Sequence, residues 1–90
     1  MARAQRTFVV VNTLGLHARA AAQLVQAANR FRSEIHVEKD GTTVNGKSIM
    51  GVLTLAAAKG SSITVSCDGD DAEHAMTALA KIIENGFGET

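Results

Sequence analysis

The chain has no proline, tryptophan or tyrosine, and only one cysteine among its 90 residues. Phenylalanine supplies all of the aromatic content, 3% of residues, so the stacking platforms of a single-strand nucleic-acid binder are missing. Cys67 has no partner for an internal disulfide, which favours a reducing compartment. No apolar run is long enough to span a bilayer. The basic N-terminal residues lack the apolar stretch that a secretory signal carries behind them. An excess of charge is missing as well. Lys+Arg and Asp+Glu both number 9, which removes any general pull toward nucleic acid or a membrane surface. The expectation is a cytoplasmic protein that partners neither. What the chain does have is a hydrophobic fraction of 46%, enough for one modest core. A single domain over residues 1–90 follows.

Patterning gives the elements. Thr7 to Val11 is a β-branched apolar run and reads as a strand. A helix is predicted from about Ala18 to Arg30, with Ala20, Ala21, Leu24, Val25, Ala28 and Phe31 on one stripe. Glu34 to Glu38 alternates with Ile35 and Val37 inward, and Asp40-Gly41 signals a tight hairpin into Thr42-Thr43-Val44. Ser48 is a natural N-cap for a second helix, with Ile49, Val52, Leu53 and Ala56 on one face and Lys59-Gly60 as its stop. Ser62 to Cys67 alternates again. Asp70 and Glu73 are spaced as a capping box for a last helix that Gly86 and Gly88 end. The order βαββαβα, with one apolar stripe per helix, implies an α+β open-faced sandwich: a four-stranded, mostly antiparallel sheet with three helices on one face. The first strand–helix–strand unit leaves a gap between two parallel strands, which the last strand fills antiparallel to both.

Chemistry concentrates at Gly15-Leu16-His17-Ala18-Arg19, where the first strand gives way to the first helix. A helix N-terminus carries unpaired N–H groups and the positive end of the dipole, and so seats anions. It disfavours an imidazolium at His17 and leaves neutral imidazole with a lone pair able to attack phosphorus. The backbone of Ala18 and Arg19, with the Arg19 guanidinium, could then hold a phosphoryl group. A plain capping or core histidine is the competing reading. His36 and His74 read as solvated surface residues. The histidines have no ligand spacing and the lone cysteine no pair, so neither a metal nor another cofactor is expected.

Gly15-Leu16-His17-Ala18-Arg19 resembles the active-site signature of the HPr family, the histidine-containing phosphocarriers of the bacterial phosphotransferase system. Lys47-Ser48-Ile49-Met50-Gly51-Val52 resembles the family's second signature, and the resemblance extends over nearly the whole chain. It implies an HPr-like sandwich and a phosphoryl relay from Enzyme I, through the δ1 nitrogen of His17, to an Enzyme IIA, with Arg19 steadying the phosphate. It implies regulatory phosphorylation of Ser48 by an HPr kinase/phosphorylase, a docking patch of Ile49, Met50 and Val52, and a transcription factor as a further partner. The expected state is a monomer that carries phosphate rather than a free-standing enzyme. One position departs from the pattern: most members have proline after the arginine, where this chain has Ala20. Ala20 loosens the start of the helix and restores one N–H donor.

Other readings stay open. Ser48 serves as an N-cap whether or not it is modified. Gly41 to Ser48 spells a literal Walker A string, G-x-x-x-x-G-K-[ST], which makes a small nucleotide-binding protein the alternative from another class. Its architecture requires a parallel sheet covered on both faces, for which 90 residues are few. A nitrogen-branch paralogue, or a regulatory module that only binds partners, would keep the same fold.

Overall fold

The computed structural model describes residues 2–89. Its elements are β1 (Arg3–Val9), α1 (Ala18–Ala28), β2 (Glu34–Lys39), β3 (Thr42–Asn45), α2 (Ile49–Thr54), β4 (Ser62–Asp68) and α3 (Ala72–Glu84), followed by a 3-10 turn at Gly86–Gly88. The sheet order is β1-β4-β2-β3, and every neighbouring pair is antiparallel. β1 and β2 therefore run parallel with β4 between them, as the sequence order predicts.

Period-two alternation decides which face is covered. Ile35 and Val37 of β2 and Ile63, Val65 and Cys67 of β4 are buried. Leu24 and Val25 of α1 and Met76, Leu79 and Ile83 of α3 belong to the same cluster. The opposite face of the sheet is polar, with Gln5, His36, Thr64 and Ser66 along it. His36 lies half-buried there, and His74 is exposed on α3.

The boundaries of β1, α1 and α2 differ from the sequence expectation by more than one residue. β1 begins at Arg3 rather than Thr7, because an edge strand needs only one inward row, here Ala4 and Phe8. It leaves the ladder after Val9, although Val10 still bonds the backbone of Gly60 and Ser61, and Val11 is exposed. α1 stops at Ala28, two residues short of Arg30. α2 stops at Thr54, well before Lys59-Gly60, and Ala56 is exposed with φ 47°. The chain is claimed there by other partners: Ala57 O accepts from Leu16 N at 2.8 Å, and Gly60 N donates to Val10 O at 2.8 Å. The capping box at Asp70 and Glu73 does not form. Asp71 is the N-cap of α3, and its carboxylate makes no capping bond. Instead it accepts from the Arg32 and Ser33 N–H groups at 2.9 and 3.0 Å and from the Ser33 hydroxyl.

The Walker-like string also has a definite shape. Asp40 and Gly41, both at positive φ, turn the hairpin, and Thr42–Asn45 is β3, paired to β2. It is a strand within an antiparallel sheet and not a loop wrapped around phosphate.

Candidate functional site

A tight turn builds the head of α1. Gly15 N donates to Asn12 O at 3.1 Å, the Asn12 side-chain amide donates to Gly15 O at 2.7 Å, and Gly15 takes φ 64°. Leu16 is buried, so the next residue, His17, emerges at the helix N-cap in extended conformation. The first helical bond runs from Ala21 N to His17 O at 2.8 Å. The N–H groups of Ala18, Arg19 and Ala20 precede it and have no intrahelical acceptor. Replacement of the expected proline by Ala20 thus adds a third free donor to this turn, on a residue that is itself buried.

The imidazole of His17 is 30% exposed, makes no capping bond, and lines a cleft with Leu14, Arg19, Gln23, Phe87, Gly88 and Glu89. Arg19 forms no ion pair among the described residues, so its guanidinium is available to an incoming anion. The arrangement combines a nucleophilic ring, backbone donors and an exposed cation, which suits it to receiving a phosphoryl group.

Glu89 is the residue that sequence reasoning missed. Its carboxylate accepts from Asn12 Nδ2 at 3.0 Å and Leu14 N at 3.1 Å, and lies 3.6 Å from His17 Nε2. The Asn12 amide foremost, then the Leu14 N–H and the charge of an imidazolium, hold this carboxyl below the usual carboxylate range. No local pattern around Glu89 signals this, because its partners lie at the other end of the chain.

The second predicted site is separate. Ser48 caps α2, its Oγ accepting from Gly51 N at 3.1 Å. The preceding Lys47 is tied down at both ends. Its Nζ donates to Phe31 O at 2.7 Å, and its N–H donates to Asn45 Oδ1 at 2.9 Å. Of the three docking residues, Met50 (72% exposed) and Ile49 (41%) face solvent, whereas Val52 is fully buried. Val52 therefore belongs to the core, on the inward stripe of α2, and is removed from the patch. Leu14, at 65% exposure, borders the His17 cleft as an exposed large apolar side chain, whereas Phe87 beside it is buried.

Comparison with known proteins identifies the family. A family model described as the PTS HPr component phosphorylation site matches residues 4–85. The phosphocarrier protein HPr of Cupriavidus necator is 49% identical over 85 residues, covering 94% of this chain and 96% of that protein. The HPr-like protein Crh of Halalkalibacterium halodurans is 57% identical over 70 residues, covering 78% and 83%. Among solved structures, HPr-C-His from Thermoanaerobacter tengcongensis superposes with a TM-score of 0.93 at 47% identity, covering 97% of this chain and 98% of the other.

Proposed function

Because the chain belongs to the HPr family of phosphocarriers, we propose that it accepts a phosphoryl group from phospho-Enzyme I on Nδ1 of His17 and passes it to an Enzyme IIA. The observation that carries this reading is the partly exposed imidazole at the head of α1, with neither ring nitrogen hydrogen-bonded among the described residues, beside three N–H groups without an intrahelical acceptor and an Arg19 that forms no ion pair among those residues. In the accepting step the Nδ1 lone pair forms the N–P bond. The donor's bond to phosphorus breaks, and its electron pair leaves with the donor. The Ala18 and Arg19 N–H groups and the Arg19 side chain face the added negative charge. None of these contacts is a covalent anchor, which suits cargo that must be given away. Exposed Leu14, Ile49 and Met50 offer partner enzymes an apolar surface.

Phosphoenolpyruvate with Enzyme I is expected to label the chain in an acid-labile, base-stable form, and His17→Ala is expected to take no label. A His17→Ala chain that still carries it would overturn the assignment. Presenting the labelled chain to Enzyme IIA proteins of the sugar and nitrogen branches identifies the acceptor.

Ser48 is the proposed regulatory site, modified from ATP by an HPr kinase/phosphorylase. Phosphate at an N-cap meets the positive end of α2 and persists there, while adding nearly two negative charges beside Ile49 and Met50. Repulsion of an acidic phosphodonor then slows acceptance at His17. The Ser48→Ala variant is expected to lose an ATP-dependent, acid-stable label. It should also lose about 1 kcal/mol in urea unfolding, the ordinary value of a serine cap. Unchanged ATP labelling would remove Ser48 as the site, whatever its stability.

A further inference from the structure

We propose that Glu89 is a positioning residue for His17, its carboxylate holding the imidazole in the Nε2–H form and complementing the ring charge that develops as Nδ1 takes a phosphoryl group. The transfer half of this proposal rests on the carrier reading above; the tautomer half does not.

Three observations place Glu89 there. The first is the turn that delivers it. Gly86, Phe87 and Gly88 all take positive φ, 61°, 58° and 70°. For a bulky residue such as Phe87 that is an unfavoured conformation, held here by burial of its ring in the core. The turn carries the chain from the end of α3 back over the loop ahead of α1. The second is the seat. Both carboxylate oxygens are engaged, Oε1 by Leu14 N and Oε2 by Asn12 Nδ2, and the side chain is only 20% exposed. The third is the state of Asn12. Its amide gives one N–H to Gly15 O and the other to Glu89, while its Oδ1 is buried without a partner among the described residues. The two donor bonds fix the amide's orientation, and through it the carboxylate.

The carboxylate then lies 3.6 Å from Nε2, and no hydrogen bond occupies either ring nitrogen among the described residues. A carboxylate beside one ring nitrogen favours the proton there and leaves the lone pair on the other. When Nδ1 attacks, the N–P bond forms and the donor's bond breaks. The Nε2 proton stays in place, and the ring acquires positive charge beside Glu89. Arg19, the other charged residue of the cleft, serves the phosphoryl oxygens, so the two charges divide the work.

Nitrogen-15 NMR of the imidazole ring, at a pH where it is neutral, reads the tautomer directly. The comparison is between wild type, Glu89→Gln and Glu89→Lys, with melting curves confirming that each folds. The Nε2–H share is expected to fall in that order, because glutamine keeps an acceptor without the charge and lysine inverts it. The rate of acceptance from phospho-Enzyme I is expected to fall in the same order, about tenfold for Glu89→Gln. A merely structural role for Glu89 would not move the tautomer. An Nε2–H share unchanged in both variants overturns the proposal, whatever the transfer rate does. A wild-type chain that takes no label overturns the carrier reading instead, and the tautomer measurement, which needs no transfer, still decides for or against Glu89.

Discussion

Replacing Gly15 by alanine is expected to destabilise the chain by about 2–6 kcal/mol and to depress phosphoryl acceptance with it. Gly15 sits at φ 64°, where an L side chain is strained. A Cβ built there would lie 2.4 Å from Ala57 O and 3.0 Å from Ala58 Cα. Both are backbone atoms, so no rotamer change relieves the contact. Relief requires the turn to move away from the segment after α2. That movement breaks the Leu16 N to Ala57 O bond of 2.8 Å and strains the Asn12 bond to Gly15 O. The same movement displaces His17, two residues on, from the head of α1. Urea unfolding and the rate of labelling from phosphoenolpyruvate should therefore fall together. A variant within 1 kcal/mol of wild type and with its full transfer rate, on the scale of a neutral surface change, would show that the turn does not depend on Ala57.

The second large effect is expected far from the cleft, at Asp71. The hydrogen bond from the Ser33 hydroxyl, followed by the Arg32 N–H, lowers its carboxyl to about 2 from the ordinary value of 3.8. A carboxyl depressed in the folded state contributes stability that is complete above its unfolded pKa and lost as pH falls through its folded one. The contribution of Asp71 is accordingly present above about pH 4 and disappears between about pH 4 and pH 2. In Asp71→Ala, the Ser33 N–H and hydroxyl lose their acceptor, and Ser33 is almost wholly buried. Each unpaired buried group costs about 1–3 kcal/mol. The variant should be destabilised at neutral pH and should lose the acid-dependent drop that is expected of wild type between pH 4 and 2. Urea midpoints measured across that range check both. A variant with the wild-type slope would assign the acid sensitivity to another carboxylate.

Asp71 also marks what a linear reading of the chain could and could not see. Its neighbour Asp70, three residues before Glu73, fits a capping box by spacing alone. The structure spends the nearby carboxylate on the loop after α1, 38 residues away in sequence. Ser48 was legible because its work is local: a hydroxyl three residues ahead of the N–H it accepts. His17 was legible for the same reason, since the strand-to-helix change that exposes it is written in adjacent residues. The slot for β4 between β1 and β2 followed from the alternation of three strands and the handedness of the first unit. The resemblance to the family's second signature places Val52 in the docking patch, whereas its helical spacing with Ile49 and Leu53 places it on the core face, and its burial decides for the core. Its neighbour Met50 points outward while Val52 points in. The end of α2 could not be seen, since nothing in Leu55 to Lys59 forbids a helix. Ala56 turns to φ 47° and the Ala57 carbonyl instead accepts from Leu16, in a distant turn. Glu89 was the least legible of all, as its role exists only once residues 12, 14 and 17 have been folded beneath it.

The position of β4 has a consequence for how the molecule is made. β1 and β2 do not touch each other in the sheet; each pairs through β4, which spans Ser62–Asp68. On a ribosome, the N-terminal strand and the first helix emerge with nothing to close against. Their central partner follows some fifty residues later, at a synthesis rate of about 5–20 residues per second. The hairpin β2–β3 can form early because its pairing is local. β1 is expected to stay unpaired until β4 has cleared the exit tunnel, so that the histidine loop it leads into takes shape among the last events of folding.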